Sequence, residues 1–178
     1  FNAADVIVVG RFVGPKAMAA VGTTGTIVNL LVNLFLGLSL GVNVCMAQCI
    51  GAGKKKEAKE VLSTAFSAAL LSGVLVFLLG NLLIRPLLFM IATPDDVFQN
   101  AEDYLHFYFF GIPFLLLYDF QAAVLRAVGD TRRPLYTQMI AGLINVLLNL
   151  LFVLRFGLGV RGVAIATSVS EGFSAMVL

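Results

Sequence analysis

Charge is what this sequence has least of. Of its 178 residues 12% are charged and 60% hydrophobic, whereas an ordinary soluble domain carries roughly 25% charged residues. Too few Lys, Arg, Asp and Glu are present to cover more than loops, which excludes an ordinary soluble protein and puts the chain in a membrane. The mean hydropathy of +0.97 agrees. Histidine and cysteine are nearly absent too, with one and two residues. The chain holds no H-E-x-x-H, no G-x-S-x-G and no His/Cys cluster, so it lacks the nucleophile, base or metal set of a membrane enzyme. Cys45 and Cys49 lie four apart in "CMAQC", on one helical face where a bridge has poor geometry, and no His or third Cys is near enough to complete a metal site. They are expected to be buried small residues. The net charge of +2 says little about partners, and no nucleic acid is expected among them.

The opening "FNAADVIVVG" has no basic segment before it and no small-residue cleavage site. It reads as the back half of a helix, and the closing "SVSEGFSAMVL" likewise stops inside an apolar run, so both ends are expected to be truncations. Between them the sequence offers long apolar runs. A helix needs about 20 such residues to cross the hydrocarbon, where the backbone has no other partners. The expectation is an all-α transmembrane fold of about six membrane-spanning helices, the first and last truncated, near residues 1–10, 16–50, 57–84, 94–128, 134–156 and 162–178. Pro15 opens the second and Pro134 the fifth, positions where the missing N–H costs nothing. The third is expected to end at Arg85-Pro86, and the fourth to kink near Pro113.

Basic residues in short loops stay in the cytoplasm. Lys54, Lys55, Lys56 and Lys59 follow the second span, and Arg126, Arg132 and Arg133 follow the fourth. The loop between these two, "TPDDVFQNAEDY", is acidic, whereas Arg11, Lys16, Arg155 and Arg161 fall on the same outer side and weaken the bias. The alternation predicts that the N-terminal side of the first helix is cytoplasmic.

Ionisable groups within spans are expensive and therefore functional candidates. Asp5 stands six residues before Arg11, Asn149 six before Arg155 and Thr167 six after Arg161. At 1.5 Å per residue each lies roughly 9 Å from the outer end, so the three share a depth. Asn145, one turn deeper than Asn149, faces the same way. A carboxylate with two amide carbonyls and a hydroxyl would hold sodium; the same cluster would equally serve Asp5 as a proton carrier, and both readings stay open. The competing structural reading makes the asparagines glue between helices.

Other candidates carry less. Glu171, about ten residues past Arg161, falls near the midplane and would line a substrate cavity. Asn29 and Asn33, one turn apart, would either line that cavity or join Gly22, Gly25, Gly37 and Gly41 in close packing. Asp119 is expected to pair with a loop arginine, and His106 to sit at the outer interface. Phe107, Phe109, Phe110 and Phe114 would form an apolar substrate wall or face lipid and neighbouring helices.

The stretch "LRAVGDTRRPL" gathers one acid and three arginines between two apolar runs, with Gly129 at a helix end and Pro134 at the next helix start. It resembles the loop between the fourth and fifth helices of the multidrug and toxic compound extrusion (MATE) family, on Arg126, Gly129, Asp130 and Pro134. "DVIVVGRFVGPKAMAAVG", "AQCIGAGKKKEAKEVL" and "GVRGVAIATSVSE" agree with that family in order and spacing. The resemblance covers essentially the whole chain. It implies half of a twelve-helix antiporter, the N-terminal six-helix bundle of two, in the cell membrane. It implies export of organic cations or other amphipathic compounds against inward protons or sodium, with no cofactor and with a C-terminal bundle as partner. By the same resemblance Asp5 matches the first-helix aspartate that couples to the ion, and Asn145, Asn149 and Thr167 match its polar neighbours. Some family members carry an aspartate where this chain has Asn149. A lipid-linked oligosaccharide flippase of the same superfamily is the alternative; such cavities are rich in basic groups, and the visible spans here hold an acid and asparagines instead. A structural membrane subunit without transport is the third reading, and it leaves Asp5 unexplained.

Overall fold

A computed structural model describes residues 2–178, and every regular element in them is a helix. They run α1 (Asn2–Phe12), α2 (Pro15–Gly51), α3 (Lys55–Met90), α4 (Asp95–Ala127), α5 (Arg132–Leu150) and α6 (Gly159–Val177). One π turn, Leu151–Arg155, extends α5. Among the described helices α2, α3, α4 and α5 with its π turn are long and apolar enough to cross a membrane. The described part of α1 has 11 residues, about 16 Å. α6 is interrupted by Arg161, Glu171 and a series of Gly, Ser and Thr, and it is buried over most of its length.

Pro15 occupies the first turn of α2 and Pro94 caps α4. α3 does not end at Pro86 but continues to Met90. A proline removes one backbone bond, and a helix packed in a bundle tolerates that loss. Pro113 likewise lies inside a continuous α4.

α4 is the centre of the bundle. Half of its most apolar window is buried (50%), against 17% for α2 and 22% for α3. It packs on α2, α3 and α6, and its Tyr104, Leu105, Phe109, Ile112 and Leu116 fill the core. Small residues set these approaches. A Cβ on Gly111 would meet the Cα of Ser168 at 2.8 Å, and one on Gly73 the Cα of Pro113 at 2.7 Å. Neither backbone would draw so close to its neighbour with a side chain in between. Gly22, Gly37 and Gly41, expected in packing contacts, have nothing within 4 Å of where a Cβ would stand. They lie on the open side of α2. Cys45, expected to be buried, is exposed on that helix, and Cys49 is half-buried. Long α2 has neighbours along only part of its circumference, and apolar side chains there, Leu30, Leu34 and Leu38, face outward.

Charge marks the two ends of the bundle differently. At one end the acids of α4 pair across to three helices: Asp96 to Lys16 of α2 (3.6 Å), Glu102 to Arg85 of α3 (2.8 Å) and Asp103 to Arg161 of α6 (2.9 Å). At the other end lie the α2–α3 and α4–α5 turns, and toward that end the Asn43 amide of α2 donates to the Ala123 carbonyl of α4 at 2.8 Å.

Candidate functional site

Four helices converge on Asp5. Its carboxylate is fully buried, and each neighbour contributes a donor. Asn149 Nδ2 of α5 donates to Oδ1 at 2.8 Å; Thr167 Oγ1 of α6 donates to Oδ2 at 2.9 Å; Tyr104 OH of α4 donates to Oδ2 at 3.3 Å. Behind them Asn145 Nδ2 donates to Thr167 Oγ1 at 3.0 Å, and Asn149 Nδ2 is shared with Asn145 Oδ1 at 3.2 Å. Asn145 and Asn149, one turn apart on α5, are also fully buried. Among the described residues Asp5 has no basic partner within ion-pair distance.

The cluster is built to carry one charge. A carboxylate surrounded by hydroxyl and amide hydrogens is satisfied without a cation. One atom is left over: Asn149 Oδ1 is buried with no donor, an expensive state in a helical interior. A carbonyl beside a carboxylate is an acceptor for a proton carried by that carboxylate, or a ligand for a small hard cation. No group of three His, Cys, Asp or Glu that could hold a metal occurs among the described residues. Any metal cation here would rest on one acid and neutral oxygens.

The four residues Asp5, Asn145, Asn149 and Thr167 are therefore brought into one hydrogen-bonded unit. Tyr104 was not anticipated from the sequence. In the sequence it closes the acidic stretch "TPDDVFQNAEDY", a setting that gives no sign of a phenol buried against Asp5.

The other expected residues are dispersed. Glu171 is 5% exposed and packed between α4 and α6 beside Tyr108, Gly111, Ile112, Leu115 and Thr167, where the gap has no room for a water molecule. Its Oε2 has no partner. In this conformation it faces packed interior and not an open wall, because the small residues of α6 let α4 close over it. Asn29 is exposed in an open groove of about 560 Å³ between α1 and α2, with Val6, Ile7, Gly22 and Thr26. Asn33, also exposed, donates to the Asn29 carbonyl at 2.8 Å. Phe107, Phe110 and Phe114 line a separate apolar groove of about 450 Å³ between α4 and α6; Phe109 belongs instead to the core, against Gly80. His106 is exposed. Asp119 does not pair with an arginine: it is 7% exposed and its Oδ2 has no partner, since Arg126 stands two turns away and stays exposed in the turn.

The α4–α5 loop explains the gathered charge. Gly129 adopts φ +88°. The Gly129 N–H donates to the Arg126 carbonyl (3.0 Å) and the Asp130 N–H to the Leu125 carbonyl (2.9 Å), the glycine-dependent stop that closes a helix on its last carbonyls. Asp130 then starts α5: its Oδ1 accepts from the Arg133 N–H at 3.1 Å and its Oδ2 pairs with the Arg133 guanidinium at 3.0 Å. Pro134 is buried in the first turn, and its carbonyl accepts from Tyr118 OH at 2.8 Å.

A bundle of membrane-crossing helices closed around one hydrogen-bonded acid defines the class: a multi-pass membrane protein with a polar site inside its helical core. The MatE family model matches residues 1–151. Over 97% of its length the chain is 31% identical to the probable multidrug resistance protein YoeA of Bacillus subtilis, covering 38% of that protein. It is 33% identical over 98% of its length to the probable multidrug resistance protein YpnP of the same organism, covering 39%. Among solved structures it superimposes on MATE in the bent conformation with a TM-score of 0.95 and 26% identity, over 99% of this chain and 39% of that one. The chain belongs to the MatE family. It spans about two fifths of the length of the relatives it matches.

Proposed function

We propose that this chain forms the N-terminal bundle of a secondary antiporter that exports organic cations or other amphipathic compounds in exchange for an inward cation, and that Asp5 is the group to which the cation couples. A second bundle would complete the substrate cavity between the two. The observation that carries the reading is a fully buried carboxylate served by donors from three other helices and by no basic residue among those described. Such a group is costly to keep in a membrane unless its charge is used. The relatives named as multidrug resistance proteins support the substrate class.

We assign a proton as the coupling cation. Asn149, Thr167 and Tyr104 all donate to Asp5 and so hold it ionised until the cation arrives, and a proton arriving there needs only one acceptor. Asn149 Oδ1 is the spare acceptor that a proton on Asp5 would need once the amide is drawn to it. Cation arrival and substrate arrival would favour different arrangements of the two bundles, and alternating occupancy would rock one against the other. The orientation we propose puts the α2–α3 and α4–α5 turns in the cytoplasm. It is supported by the pairing of Lys16 and Arg161 with acids at the opposite end, which offsets two of the four basic residues that weakened the loop bias.

The test is ethidium efflux from cells producing a transporter that contains this chain, native or Asp5→Asn at matched membrane abundance, with proton and sodium gradients imposed separately. Loss of gradient-driven efflux in the variant, and drive by the proton gradient in the native protein, is the expected result. Full efflux with Asp5→Asn would overturn the role of Asp5; drive by sodium alone would overturn the proton. No efflux from the native protein would move the reading to lipid-linked or metabolite substrates.

A further inference from the structure

Two features meet at the α2–α3 end of the bundle, far from Asp5. The first is charge without a partner. Lys54 pairs with Glu57 at 2.9 Å, whereas Lys55, Lys56 and Lys59 enter no ion pair among the described residues. The acids and these lysines are also separated in direction. Glu57 and Glu60 face the α2 side, where they line a groove with Cys45 and Cys49. Lys55 and Lys59 are followed at helical spacing by Leu62 and Phe66, so the four lie in one row along α3.

The second feature is what that row adjoins. Leu62 and Phe66 are each about half exposed, at 49% and 48%. With Leu117, Phe120, Gln121 and Val124 they flank a shallow apolar seam of about 20 Å³ between α3 and α4, so that an occupant lies over the exposed faces of Leu62 and Phe66 and not within the seam. Arg126, exposed and outside every ion pair, adds positive charge two residues beyond Val124.

We propose that this seam is a binding site for one anionic glycerophospholipid. Its phosphate would lie against Lys55 and Lys59, and an acyl chain along Leu62 and Phe66. An apolar seam alone would accept any acyl chain. The unpaired lysines at its mouth select the sign of the headgroup, since basic side chains at a membrane surface attract anionic lipid and gain little from a zwitterionic one. The inference does not depend on the role of Asp5.

The experiment is native mass spectrometry, in detergent, of a purified transporter that contains this chain, titrated with phosphatidylglycerol or with phosphatidylcholine of the same acyl chains. The native chain is compared with Lys55→Gln/Lys59→Gln and with Lys54→Gln/Glu57→Gln, which removes an ion pair at constant net charge. Circular dichroism checks that each stays helical. Phosphatidylglycerol should be retained over phosphatidylcholine, its retention should fall roughly ten- to thirty-fold in the lysine variant, and the ion-pair variant should behave as native. Equal retention of the two lipids by the native chain, or undiminished phosphatidylglycerol binding in the lysine variant, would overturn the proposal. So would a lipid-free dimer abolished by Phe66→Ser, which would assign the seam to a second copy.

Discussion

Tyr104 holds the longest of the three bonds to Asp5, at 3.3 Å, and its ring stacks on Tyr108 with centroids 5.7 Å apart. Tyr104→Phe keeps the ring and removes the donor. A net hydrogen bond contributes about 1 kcal/mol, so the variant should stay folded while the proton dependence of efflux shifts about five-fold at its midpoint. An unchanged midpoint would leave Tyr104 with packing alone. Asp5, Asn145, Asn149 and Thr167 were legible because each could be counted from a charged residue that ends its helix, and rise per residue turns such counts into depth. Tyr104 was not, because its own helix begins with several acids and a depth count had no single reference. Asp119 failed for a related reason: nearness in sequence to Arg126 says nothing of two turns of intervening helix.

The helices of this bundle end by one backbone device used three times. After α2, Gly53 at φ +70° donates its N–H to the Ile50 carbonyl and the Lys54 N–H reaches the Cys49 carbonyl, the pair of bonds that Gly129 and Asp130 make after α4. After α3 the same pair of bonds forms, Ala92 to Phe89 and Thr93 to Leu88, but the left-handed position is occupied by Ala92 at φ +50°. An L-residue there costs roughly 1–2 kcal/mol, against which glycine loses some chain entropy. Ala92 is exposed, so Ala92→Gly sacrifices no packing. It should raise stability by about 1 kcal/mol and the thermal midpoint in detergent by a few degrees; a lower midpoint would show that the strain is relieved by some contact of the methyl group. The glycine stops could be read from the sequence because glycine itself announces them. The end of α3 could not: Pro86 gave a stronger signal four residues before the helix ends at Met90, and an alanine in a left-handed turn gives none.

At the scale of the whole molecule, ion pairs tie helix to helix at one end of the bundle, whereas at the other Lys55, Lys56, Lys59 and Arg126 stand outside every ion pair among the described residues. If that asymmetry sets orientation, replacing Lys54, Lys55, Lys56 and Lys59 by glutamine should increase labelling from outside of a cysteine introduced by Ala52→Cys in a background lacking Cys45 and Cys49. Unchanged labelling would mean that the α4–α5 loop suffices. The all-helical fold was legible from composition and long apolar runs, since in lipid the backbone has few alternatives. The central place of α4 was not, because its apolar run looks like that of its neighbours, and only the glycines that admit Pro113 and Ser168 reveal which helix is surrounded. The convergence on Asp5 also sets a timetable. Its partners follow it in the chain by 99, 144 and 162 residues. With synthesis at roughly 5 to 20 residues per second, Thr167 emerges about 8 to 30 s after Asp5. The acid at the heart of the bundle is thus made before every one of its donors, and its set of hydrogen bonds is completed only once α6 has been synthesised.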